Sequence, residues 1–129
     1  MISGDSMTAV VVEDNDESFE VLRSILESLG YTVRRAPHEG PQFHAEAREI
    51  AKADLIVLDI ILSESIDGFE VVRSLVANEF KGALIVASAN APNYIESLVQ
   101  VAAGNGIRVI TGLQKPYRRN TIAKVLAQD

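Results

Sequence analysis

Short apolar stretches alternate with longer amphipathic ones along this chain. "TAVVVE" (8–13), "YTVRRA" (31–36), "ADLIVLD" (53–59), "ALIVAS" (83–88) and "IRVITG" (107–112) are compact and rich in β-branched residues, the pattern of strands. Between them, apolar residues return at three- and four-residue steps, the period of a helix with one buried face. Residues 16–29 place Phe19, Leu22, Leu26 and Leu29 on such a face, with Gly30 as the helix stop. Further helices are expected over 41–52 (Phe43, Ala47, Ile50), 68–78 (Phe69, Val72, Leu75, Val76) and 93–103 (Ile95, Leu98, Val99, Ala102). A last, short one starts at Asn120 as N-cap and runs through Ile122, Val125 and Leu126. The second helix is entered through "PHEGPQ", two prolines and a glycine. Residues 1–7 read as a disordered lead-in.

Strict alternation of strand and helix predicts an α/β fold, a doubly wound five-stranded parallel sheet with helices on both faces and right-handed crossovers. "ADLIVLD" and "ALIVAS" are apolar on both strand faces, as central strands of such a sheet must be. "YTVRRA" is not, and an edge position suits it. Its two arginines, Arg34 and Arg35, read as solvated edge charges, and Arg118–Arg119 as solvated cap charges that could also meet an acidic partner.

Composition narrows the classes. At 129 residues the chain holds one domain with a real core. It has no cysteine, which excludes disulfides, thiolate metal sites and cysteine nucleophiles. No apolar run approaches the ~18 residues needed to span a bilayer, so no membrane association is expected. "MISGDSMT" has neither the basic nor the apolar region of a secretory signal, and a cytoplasmic location is the default. A formal net charge of -6 argues against direct nucleic-acid binding, which needs a basic footprint.

In open α/β sheets, ligands bind beyond the carboxyl ends of the strands, at the topological switch point. At those ends stand Glu13 and Asp14 after the first strand, Asp59 after the third, Ser88 after the fourth, and Lys115 followed by Pro116 after the fifth. The second strand ends on Ala36–Pro37 and contributes nothing comparable. Carboxylates gathered in one crevice repel one another, and a hard divalent cation relieves this. Mg2+ takes oxygen ligands, keeps several waters and needs only one or two carboxylates plus a phosphate oxygen. Lys115 adds a compact positive charge and Ser88 a hydroxyl donor. Together these groups make a phosphoryl-binding site with Asp59 as nucleophile. His38 and His44 fall in the second helical region and read as ordinary surface residues.

The set "VVVEDND", "LIVLDI…DGFE", "IVASA" and "QKPY" resembles the receiver domain of bacterial two-component response regulators, over about residues 8–127. The resemblance implies a (βα)5 flavodoxin-like receiver fold. It implies that Asp59 is the phosphoacceptor, that Asp14 and Asp59 ligate Mg2+ together with the backbone carbonyl of Ile61, and that Glu13 acts mainly through a water. Ser88 and Lys115 then bind the phosphoryl oxygens. The implied partners are a sensor histidine kinase or histidine phosphotransfer protein on one side and an output domain or downstream protein on the other. Homodimerisation through the fourth helix, fifth strand and fifth helix is a habit of that family. The long fourth helix and "GLQKPYRR" are similar to receivers fused to cyclic-di-GMP phosphodiesterase (EAL) domains.

The chain departs from the pattern in three places. One extra residue separates Asp59 from Asp67–Gly68, and Ser63 stands where proline is usual. The stretch from Ser88 to Lys115 is several residues longer. Gly112 stands three before Lys115, where many receivers place a Tyr or Phe that turns inward on phosphorylation. The alternative function is therefore a phosphorylation-independent pseudo-receiver that binds proteins. A dehalogenase-type phosphatase would need a second aspartate at position 61, which is Ile61. A flavodoxin-like FMN carrier would need a hydroxyl- and glycine-rich loop where "EDNDES" stands.

Overall fold

Each strand is followed by a helix that returns the chain to the start of a parallel neighbour. The computed structural model describes residues 7–37, 39–59, 68–88, 92–114 and 117–127. The order is β1 (Met7–Val12), α1 (Asp16–Ser28), β2 (Tyr31–Arg35), α2 (Gly40–Ile50), β3 (Leu55–Asp59), α3 (Gly68–Ala77), β4 (Ala83–Ser88), α4 (Pro92–Gly104), β5 (Arg108–Gln114) and α5 (Arg119–Ala127). The strands lie in the order β2-β1-β3-β4-β5, with every pairing parallel. This is the doubly wound sheet that the alternating pattern predicts, with β2 at one edge.

Alternation along the strands divides the core in two. Val10, Val12, Ile56, Leu58, Leu84 and Val86 face one way, onto Phe43, Ala47 and Ile50 of α2, Val71, Val72 and Leu75 of α3, and Leu98 and Ala102 of α4. Ala9, Val11, Leu55, Val57, Ile85 and Ala87 face the other way, onto Leu22 and Leu26 of α1 and Ile122 of α5. The helix faces are those that the three- and four-residue spacing predicts.

Local signals explain most boundaries. Asn15 caps α1 by accepting a hydrogen bond from the Ser18 N–H at 2.8 Å, and acidic Asp16 and Glu17 occupy the first turn. Gly30, at φ +99, takes the left-handed turn that ends the helix. Three expectations are corrected. Met7, assigned to the lead-in, belongs to β1, because the edge strand offers it a ladder partner in Tyr31. Asn120 is not the cap of α5: the helix starts at Arg119, and its first turn closes through Ile122 N–H to the Arg118 carbonyl at 3.1 Å. The fifth strand extends to Gln114 and carries a register shift, since Ile85 pairs with Ile110 but Ala87 pairs with Leu113. One residue more on β5 than on β4 is the signature of a β-bulge, and it falls at Thr111–Gly112.

At the opposite end of the sheet the backbones approach closely. Asp54 joins β1 and β4: its N–H donates to the Thr8 carbonyl at 2.9 Å, and its carbonyl accepts from Ala83 N–H at 3.1 Å. A Cβ on Gly82 would lie 2.4 Å from that carbonyl oxygen, a clash that only backbone movement could relieve. Gly82→Ala is expected to cost about 1–3 kcal/mol. Gly104→Ala, at the end of α4 with open space around it, is expected to be neutral or to gain up to about 1 kcal/mol. Denaturant unfolding of the two variants checks the contrast.

Candidate functional site

The sheet order reverses between β1 and β3, and in sheets of this kind ligands bind at such a point, beyond the carboxyl ends of the strands. Val12 pairs with Leu58, so Glu13 and Asp59 are the next residues on adjacent strands. Both are withdrawn from water, Glu13 at 0% and Asp59 at 1% exposure. Asp59 pairs with Ala87 of β4, which sets its side chain on the α1/α5 face. Asp14 follows Glu13 and is half-buried. Ser88 closes β4, with its backbone paired to Gln114 of β5. Ile61 and Lys115 lie outside the described residues, as does His38.

A third residue, beyond the last strand, is coupled to Asp59 and Glu13. Tyr117 is 8% exposed and belongs to the same cluster as Val11, Val57 and Ala87, the apolar residues just below the two carboxylates. Burial, then the charges of Asp59 and Glu13, raise its hydroxyl far above the usual phenol range. The neutral phenol therefore lies beside the two acids on the α1/α5 side. The proline before it and its place past the last strand were legible, but its inward direction was not.

The edge strand departs from expectation at one of its two arginines. Arg34 is the solvated residue expected, paired with Glu46. Arg35 instead reaches into the β1–α1 turn. Its Nε and Nη2 donate to the Glu13 carbonyl at 3.0 and 2.8 Å, and its Nη1 pairs with Asp16 at 2.7 Å. Its guanidinium lies 4.8 Å over the Phe19 ring. Asp16 is 91% exposed, so that ion pair contributes little. The paired bonds to the carbonyl are partly buried and charge-assisted, a class worth ~1.5–3 kcal/mol each. His44 is also tied, with Nδ1 2.6 Å from Oγ of buried Ser74, a contact between α2 and α3 remote in role from the acids.

The family model for the response regulator receiver domain matches residues 9–127. The chain belongs to the response regulator receiver family. Solved structures agree in fold. The signal receiver domain of a LuxO repressor protein from Vibrio parahaemolyticus matches at TM-score 0.73 and 20% identity, over 95% of this chain and 88% of that one. The chemotaxis protein CheY4 of Vibrio cholerae gives 0.73 and 20%, over 95% and 98%. The receiver domain of a sensor histidine kinase from Pseudomonas aeruginosa gives 0.73 and 26%, over 95% and 96%, and its structure holds a magnesium ion coordinated in the active site cleft. No curated protein matches.

Receiver domains generally bind Mg2+, and the donors here suit it. Glu13, Asp14 and Asp59 carry hard oxygen donors at two adjacent strand ends, and the chain has no thiol to favour a softer metal. Among the described residues no three acidic or imidazole side chains enclose a metal by themselves. An ion that retains several waters does not need such a cage.

The phenol gives a pH prediction. In the unfolded chain Tyr117 loses its proton near pH 10, whereas in the folded chain it keeps it to higher pH. The folded state then binds more protons, so stability falls as pH rises above about 10. Tyr117→Phe is expected to flatten that fall, as read by denaturant midpoints from pH 8 to 11.

Proposed function

We propose that this chain is the phosphoacceptor module of a two-component response regulator, its receiver unit spanning residues 8–127, with Asp59 as the phosphorylated residue. The observation that carries the reading is the burial of Glu13 and Asp59 at neighbouring strand ends on either side of the switch point. Among the described residues no helix is long and apolar enough to cross a membrane, and a cytoplasmic site of action is part of the proposal.

A carboxylate oxygen of Asp59 attacks the phosphorus of a phosphohistidine on a sensor kinase or phosphotransfer protein. The P–O bond forms as the P–N bond breaks, and the imidazole leaves with its electron pair and takes up a proton. Glu13, Asp14 and Asp59, with the carbonyl of Ile61, would hold Mg2+, which when bound neutralises charge on the phosphoryl oxygens. Lys115 pairs with a phosphoryl oxygen and Ser88 donates a hydrogen bond to another. The product, an acyl phosphate at the end of β3, adds charge beside β4 and β5, and this biases the α4/β5/α5 face toward its output partner.

The test is labelling of the purified chain by acetyl phosphate with and without Mg2+. Label is expected with Mg2+ only, and Asp59→Asn is expected to abolish it. Wild-type chain that takes no label where an ordinary receiver does would instead support a pseudo-receiver that binds its partner without phosphate.

A further inference from the structure

We propose that Arg35 is a positioning residue for the acid pocket: from the end of the edge strand it clasps the Glu13 carbonyl and so fixes the turn that presents Glu13 and Asp14 to a divalent cation. This rests on the phosphoacceptor reading above and assigns a role to a strand that contributes no carboxylate.

The turn needs such a hold. Only Glu13, Asp14 and Asn15 separate β1 from α1. The β1–β3 register ends at Val12–Leu58, and on the edge side Ala36 N–H donates to the Val11 carbonyl at 2.9 Å. The Glu13 carbonyl stands beyond both, and the Arg35 guanidinium takes it with two bonds, at 3.0 and 2.8 Å. The other side of the turn is fixed by Asn15, whose side chain caps α1 and whose N–H donates to Glu13 Oε2 at 3.2 Å. Arg35 completes the frame by reaching Asp16 at 2.7 Å and covering Phe19 at 4.8 Å. One planar fork thus joins the first residue of the β1–α1 turn, the first residue of α1 and the edge strand. A lysine has neither the paired donors nor the flat face for this.

A group that orients metal ligands from behind changes metal affinity more than the chemistry of the loaded site. The test is calorimetric titration of the full chain with MgCl2, together with acetyl phosphate labelling across Mg2+ concentrations. Arg35→Met is expected to raise the Mg2+ Kd about tenfold. Its labelling rate at saturating Mg2+ should return to that of wild type. Arg34→Met, which removes a surface pair with Glu46, should stay within about twofold of wild type. If Arg35→Met does not fold, Arg35→Lys decides, with a Kd between those limits. Either Arg35 variant binding Mg2+ as wild type does overturns the inference and leaves the phosphoacceptor reading intact, as does a labelling rate that stays low at saturating Mg2+. Wild-type chain that takes up no Mg2+ overturns both.

Discussion

Two carboxylates removed from water at the ends of adjacent parallel strands set the terms for everything around them. An ionised group in a protein interior costs several kcal/mol in lost solvation, and two of like sign side by side cost more. The fold imposes this position. Covering both faces of a parallel sheet buries the strands along their length, and reversal of strand order between β1 and β3 sends the chain leaving each to an opposite face. Ionised carboxylates at positions 13 and 59 must then be stabilised by oriented dipoles and by positive charge. The Asn15 N–H aimed at Glu13 and the bonds of Arg35 to the turn are part of that arrangement.

The two faces of the sheet contribute differently. The side covered by α2, α3 and α4 is a continuous apolar core in which Phe43, Leu58, Leu75 and Leu98 are fully buried. The side covered by α1 and α5 carries the polar ends of the strands. There the apolar floor of Val11, Val57 and Ala87 gives way to Glu13, Asp59 and Tyr117. The first face fixes where the strands lie. The second determines what their ends meet.

The fold was almost wholly legible in the pattern of apolar positions, because strand and helix periods differ and because β3 and β4 are apolar on both faces. The strand-end acids were legible too, since a carboxylate closing a run such as "LIVLD" has few reasons to be there. What sequence could not give was direction. Arg35 sits in a segment that reads as a solvated edge, and nothing local says that its side chain turns back across β1 to the carbonyl of residue 13. Neighbouring Arg34, of the same type and on the same strand, does the ordinary thing, because successive residues of a strand point to opposite faces. Tyr117 shows the same limit: spacing fixes its place after β5, whereas packing decides that its ring is buried.

The aromatic side chains carry this point further. Gly112 offers no ring where many receivers have one, and the structure puts a β-bulge at that part of β5, a backbone irregularity in a position otherwise given to a side chain. Tyr117 lies beyond the strand, buried, and feels the charge of Asp59 before that of Glu13. Its cluster includes Ile122 of α5. A change of charge at the end of β3 therefore acts on a phenol packed in the same core as the last helix. An exposed ring would be shielded by water, but in this setting the field is screened weakly. The chain thus lacks an aromatic residue on the strand and has one behind the pocket, where any gain of negative charge at Asp59 adds to the pressure that already keeps the hydroxyl protonated.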